Sequence, residues 1–170
     1  MSTPVPRASA GGPAPACTVR VAETTADREA CFAVRKEVFV QEQGVPEDLE
    51  YDALDEPGSG TLHVLAVRAD GLPLGTGRLL TGEAAAARNG GDPGVGSLGR
   101  LAVAKAARGL GVGAALVRAV EDAARERGLT AVDLHAQTHA LGFYERLGYT
   151  AYGPEFPDAG IPHRAMRRDV

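Results

Sequence analysis

A mixed α/β sandwich, with helices laid over a sheet, is the fold class this sequence predicts, and three features carry it. Two apolar runs, 61–69 and 73–80, flank an Asp70-Gly71 pair, a short-range signal for a β-hairpin. From residue 97 onward strand-like and helix-like patterns alternate as βαβαβ. A hydrophobic content of 44% over 170 residues, with both charge signs interspersed, suits one domain that buries its own core without disulfides or a structural metal.

The first 16 residues are rich in Pro, Ala and Gly and are expected to be disordered, leaving 17–170 as the folded domain. Residues 18–23 alternate like a strand. Thr24 followed by Asp27 offers a helix start, and a helix is expected from about 26 to 41. Cys31, Val34 and Val38 form its apolar stripe, with Phe32, Arg35 and Phe39 on an adjoining face. The segment from Gly44 to Gly60 holds Pro46, Pro57 and six carboxylates, so it reads as a solvated loop with at most a short helix. After the hairpin, 81–95 reads as a Gly- and Ala-rich connection and 97–103 as a strand. A helix follows from near Gly111 to Arg127, turning Val112, Leu116, Val120 and Ala123 inward and stopping at Gly128. Residues 130–136 read as a strand and 138–147 as a short helix capped by Gly148. Strands near 149–153 and 163–168 close the chain.

Charge and cysteine usage exclude several classes of function. The net charge is −4 and Lys36 and Lys105 are the only lysines, whereas polyanion binding needs clustered cations. Arg167 and Arg168 read as a solvated strand edge, so no nucleic-acid partner is expected. No apolar run approaches the roughly 20 residues of a membrane span. Cys17 and Cys31 show no spacing that suggests a bridge, which points to a reducing compartment, taken as the cytoplasm. A homodimer is left open. His135 and His139 have the i, i+4 spacing of a zinc motif but straddle a strand-helix junction and lack its glutamate, so packing or local hydrogen bonding is expected and no metal. His63 reads as a strand residue without a catalytic role.

The chemistry concentrates in residues 98–117, where a strand leads through Arg108-Gly109-Leu110-Gly111-Val112-Gly113 into a helix. Glycines admit a ligand close to the backbone, and the unsatisfied amides of a helix N-terminus attract an anion such as a pyrophosphate. A P-loop would end in Gly-Lys-Ser or Gly-Lys-Thr, but Gly113 precedes Ala114 and Ala115. Gly109, Gly111 and Ala114 satisfy the dinucleotide pattern GxGxxA by letters. That fold runs its strand directly into the first glycine, whereas Ala104 to Arg108 intervene here, and Asp133 falls mid-strand.

Arg108, Gly111 and Gly113 match the R/Q-x-x-G-x-G/A signature of the GNAT superfamily of N-acetyltransferases, and residues 141–149, LGFYERLGY, resemble that family's FYEKLGF segment. Segments 34–56, 134–137 and 160–166 further resemble its ElaA/YjcF-like branch, so that the likeness spans about 18–168. The resemblance implies a mostly antiparallel mixed sheet of six to seven strands flanked by about four helices, with acetyl-CoA as cofactor. Amides from about Leu110 to Ala114, thus Gly111, Val112 and Gly113 among them, would hold the pyrophosphate beside Arg108 and Gly109. The strands containing Leu101, Ala102 and Val103 and residues 130–136 would embrace the pantetheine.

Acyl transfer from a thioester to an amine through a tetrahedral intermediate needs a neutral nucleophile, an oxyanion donor and a proton for the leaving thiolate. A main-chain amide near Leu101 or Ala102 could serve the oxyanion. Tyr144 matches the family's frequent general acid and would also touch the cofactor; Phe143 and Leu147 supply the buried face of its helix, so Tyr144 is expected to point elsewhere. For the base, Glu42 ranks first and His163 second. Arg35, Phe39, Glu42 and Glu50 are the candidate acceptor contacts, and the acidic run Glu47 to Glu56 would draw a small-molecule amine. The alternative is a non-catalytic acyl-CoA-binding sensor or interaction module, since fold does not settle function.

Overall fold

The structure is a computed structural model that describes residues 17–170; the tail expected to be disordered, 1–16, lies outside the described residues. Seven strands form one sheet in the order β1-β2-β3-β4-β5-β7-β6. They are β1 (Cys17–Val21), β2 (Leu62–Arg68), β3 (Pro73–Leu80), β4 (Val95–Val103), β5 (Ala131–Gln137), β6 (Thr150–Asp158) and β7 (Ile161–Asp169). Every neighbouring pair is antiparallel except β4 and β5, which run parallel.

The first helix, α1 (Thr25–Arg35), begins where Thr24 accepts a hydrogen bond from the Asp27 amide at 3.0 Å. The expected helix to residue 41 continues, but from Lys36 to Glu42 it widens into π-helical turns, with the Gln43 amide bonded to the Val38 carbonyl at 3.1 Å. Such widened turns recur at functional sites. Cys31, Val34 and Val38 are buried as their spacing predicts. The amphipathic helix α4 (Val112–Glu126) buries Val112, Leu116, Val120 and Ala123 against the sheet. Its approach is close: a Cβ on Gly75 of β3 would lie 2.8 Å from Leu116 Cδ1 and 3.0 Å from the Ala102 carbonyl oxygen. Only a glycine fits there.

Four expectations are corrected. The connection 81–95 contains a helix, α3 (Gly82–Asn89), which the Glu83–Arg88 run of strong helix formers supports and Gly90, at φ +89°, ends. The last two strands form one long hairpin; Pro154 and Pro157 hide β6 in the sequence but are tolerated because β6 is an edge. Arg167 and Arg168 are not on an edge, since β7 lies between β5 and β6; they pair with Asp133 and Glu121. The acidic segment is not simply solvated. It folds into α2 (Glu47–Glu50) and a short 3-10 turn (Ala53–Asp55) and sends Glu50 and Asp55 into the interior.

There Arg35 of α1 donates to Glu50 Oε2 and to both oxygens of Asp55, each at 2.8 Å. Arg78 of β3 bridges Asp52 at 2.8 Å and Asp55 at 2.9 Å, and Arg100 of β4 lies 2.9 Å from Glu50 Oε1. Burial alone would raise the Asp55 carboxyl, but hydrogen bonds from Arg35 and the Asp52 amide, with the charges of Arg35 and Arg78, outweigh it and hold the group ionised.

His63 of β2 packs beside this cluster, 4% exposed, with its ring edge-on to Phe32 and Nδ1 without a partner among the described residues. Burial, reinforced by the nearby arginines, pushes its pKa down from 6.5 to about 4 although Asp55 opposes the shift. Between those values the unfolded chain binds a proton that the folded one refuses, so stability present above pH 6.5 is lost as pH falls toward 4. The melting temperature should therefore drop over this window by on the order of 5–10 °C, and His63→Leu should flatten the profile there. A variant profile as steep as that of the wild type would assign the loss to other groups.

Candidate active site

The parallel ladder between β4 and β5 is short: Val95 to Leu98 pair with Ala131 to Leu134, and no pairing follows. Beyond it, β4 keeps β3 on one side and β5 keeps β7 on the other, so the two strands part. β4 carries one residue more than β3 between the pairs Thr76–Ala102 and Arg78–Gly99, and Arg100 takes φ +51° within that bulge. A cleft of about 1130 Å³ occupies the parting. One of its walls is the unpartnered edge of Leu101, Ala102 and Val103, which offers backbone donors and acceptors to an extended ligand.

The glycine turn closes one end of this cleft. Gly109 and Gly111 hold φ of +81° and +84°, and Gly111 caps α4 without any side-chain acceptor. The amides of Val112, Gly113 and Ala114 thus have no intrahelical partner, at the positive end of a 15-residue helix with no acid in its first turn. Gly113 also serves packing, since a Cβ there would lie 3.2 Å from Phe143 Cζ. Arg108, Gly109, Gly111, Val112, Gly113 and Ala114 line the cleft; Leu110, 48% exposed, does not. Arg108 donates to the Val103 carbonyl at 3.1 Å and grips both oxygens of Glu42 at 2.5 and 2.6 Å.

That grip alters the reading of Glu42. Hydrogen bonds from Arg108 hold its carboxyl below the usual range, which makes it a weaker base than a free carboxylate. His163 lines the same cleft, and its Nδ1 lies 2.7 Å from the Ile161 carbonyl. A carbonyl only accepts, so in the neutral ring Nδ1 carries the hydrogen and Nε2 the lone pair. Tyr144, on α5 (Leu141–Arg146), also lines the cleft, but Phe143 and Leu147 do not displace it from the core as expected. Tyr144 is the buried residue of the three, packed edge-on against Phe143 and Tyr149. Burial pushes its phenol up, so the hydroxyl stays protonated at neutral pH.

Among the expected acceptor contacts, Phe39 lines the cleft and Glu50 does so while bound to Arg35 and Arg100. Arg35 is a correction: it is 1% exposed, and its donors are taken up by Glu50 and Asp55. Neutralising Glu50 or Asp52 would break this cluster, so neither is free to attract a ligand. Several cleft residues were not singled out from sequence. Gln43 and Gln137 bond across the parting at 2.9 Å, and His139 reaches Gln137 at 2.6 Å. The pairing of Gln137 with His163, and of Ser97 with Asp133, places Ser97, His135, Gln137 and His163 on one face of the sheet. Arg88 of α3 lines the cleft on that face, with its carbonyl 3.2 Å from His135 Nε2. This contact gives His135 a local hydrogen-bond partner.

Comparison with known proteins agrees with this geometry. Residues 22–170 match the family model described as an acetyltransferase (GNAT) domain. The chain is 38% identical over 139 residues to the uncharacterized N-acetyltransferase YjcF of Bacillus subtilis, covering 81% of this chain and 89% of that protein. Among solved structures it resembles an acyl-CoA N-acyltransferase from Pseudomonas aeruginosa, with TM-score 0.72 and 35% identity over 89% of this chain and 97% of that one. It also resembles Escherichia coli ElaA, with TM-score 0.75 and 25% identity over 89% and 99%.

The uncapped amides and the open strand edge fit an acyl-coenzyme A, whose pyrophosphate and pantetheine amides need these two kinds of partner. Coenzyme A should therefore raise the melting temperature, and NAD should not. Gly111→Val forces a β-branched residue to φ +84° and should abolish the shift. A larger shift with NAD than with coenzyme A would refute this assignment of the turn.

Proposed function

The chain belongs to the GNAT acetyltransferase family and is an acyl-CoA-dependent N-acetyltransferase; from that premise we propose that it moves an acetyl group from acetyl-CoA to the amine of a small molecule, with His163 as base and Tyr144 at the leaving sulfur. The observation that carries this reading is that His163, Tyr144 and the unpartnered edge of β4 line one continuous cleft.

Acyl-CoA, when bound, supplies a thioester carbonyl and a thiolate leaving group. The amine must attack in its neutral form, and the Nε2 lone pair of His163 is available to take its proton. Glu42 is a poorer candidate because Arg108 occupies both of its oxygens. A backbone amide of Leu101 or Ala102, on the strand that lines the cleft, is the donor proposed for the oxyanion. The Tyr144 hydroxyl has no hydrogen-bond partner among the described residues, which leaves it free to donate to sulfur. The burial that raises its phenol would raise a thiolate beside it in the same sense.

Replacing His163 by Gln should lower kcat by about 10²–10⁴-fold while coenzyme A still stabilises the protein. Thiol release in steady state reads this directly, and an unchanged kcat would remove His163 from the chemistry. Tyr144→Phe should lower kcat by roughly ten- to a thousandfold with little change in acetyl-CoA affinity. If kcat holds, Tyr144 is a packing residue alone.

A further inference from the structure

The charges that face the cleft are nearly all matched within the protein. Glu42 is taken by Arg108, Glu50 by Arg35 and Arg100, and Asp52 by Arg78 and Arg100. Two residues on its wall have no ion-pair partner among the described residues: Arg88 on α3 and Asp158 at the turn between β6 and β7. Asp158 is exposed and Arg88 half-buried, so Arg88 stands at the cleft wall as a cation with no counter-ion from the protein among the described residues.

The backbone beneath Arg88 is anchored. Its carbonyl can accept from His135 Nε2 at 3.2 Å, and that of Asn89 accepts from Arg167 at 3.1 Å. The Asn89 side chain donates to the carbonyls of Asp92 and Val95 at 3.1 and 3.0 Å. The end of α3 is thereby fastened to the sheet face that carries His163. His135 lies two residues before Gln137, the cross-strand partner of His163, and such a step spans about 7 Å along a strand. The Arg88 backbone is therefore fixed beside His135, and the residue lines the cleft that also holds the proposed base.

We propose that the acceptor carries an oxyanion, a carboxylate or a phosphate, in addition to its amine, and that Arg88 binds it while His163 receives the amine. The proposal rests on the acetyl-transfer reading above. Arg88 thus takes the part that Arg35 cannot play from inside the ion cluster. The unpaired carboxylate of Asp158 on the same wall suits the ammonium form on its way in, so the cleft presents one cation and one anion to an amino acid or an aminoalkyl phosphate.

The test uses the full chain with saturating acetyl-CoA and thiol release as readout. Matched acceptors are compared: α- and ω-amino acids, their amides, the corresponding simple amines, and aminoalkyl phosphates. The best oxyanion-bearing acceptor should exceed its uncharged counterpart at least tenfold in kcat/KM, and the carboxylate and phosphate arms identify which oxyanion is preferred. Arg88→Gln should erase that preference by raising KM at least tenfold with little change in kcat, and Arg88→Lys should retain part of it. The stabilisation by coenzyme A should match that of the wild type in both variants, which separates lost acceptor binding from damage to the fold. Equal use of amides and acids by the wild type, or an unaltered preference in Arg88→Gln, would overturn the role of Arg88 and leave the transferase reading intact. No thiol release with any acceptor, in protein that coenzyme A still stabilises, would instead overturn the transferase reading and this inference with it.

Discussion

The buried ion cluster of Arg35, Arg78 and Arg100 with Glu50, Asp52 and Asp55 is the constraint on which the site depends. It ties one helix, two strands and an otherwise irregular segment into a single wall. Arg100 does so from a backbone at φ +51°, within the bulge where β4 turns away from β5. Removing one member of such a cluster leaves an uncompensated buried charge, at a cost of about 3–5 kcal/mol. The same cluster silences the acidic segment. Carboxylates that look like bait for a cation are already spent on the protein's own arginines.

With that wall held, the cleft follows from two local facts. The parallel ladder ends at Leu98 and Leu134, which leaves a strand edge open in the middle of a sheet. The absence of a Cβ at Gly75 lets α4 settle so close that its uncapped first turn lies at the mouth of that opening. One end therefore suits phosphate and the middle suits amide groups. The face bearing Ser97, His135 and His163 forms a further wall of the cleft.

Legibility in the sequence tracked how local each cause was. The Asp70-Gly71 hairpin, the stripe Val112, Leu116 and Val120, and the turn at Gly109 and Gly111 are set by neighbours in the chain and were readable. The inward turn of Arg35 is not legible because its partners lie 15 and 20 residues away, and nothing in a helical pattern separates a solvent-facing arginine from one turned inward to buried acids. Arg88 is hidden because glycines at 82, 90 and 91 make its segment read as a connection, although four consecutive alanines between Glu83 and Arg88 favour helix. Glu42 ranked above His163 for want of a distance: only the fold brings Arg108, 66 positions later, onto its carboxylate.

That pairing of Glu42 with Arg108 also bears on traffic at the mouth of the cleft. Any anion that settles on the glycine turn and recruits Arg108 must exchange one ionic partner for another, and the exchange by itself gains little. A bystander such as inorganic phosphate or a simple nucleotide has nothing further to offset the lost pair. A long ligand that also lies along the edge of β4 does. The carboxylate that first looked like a base is thus a competitor for Arg108, and a ligand that offers amide groups as well as charge has more than the exchange to draw on.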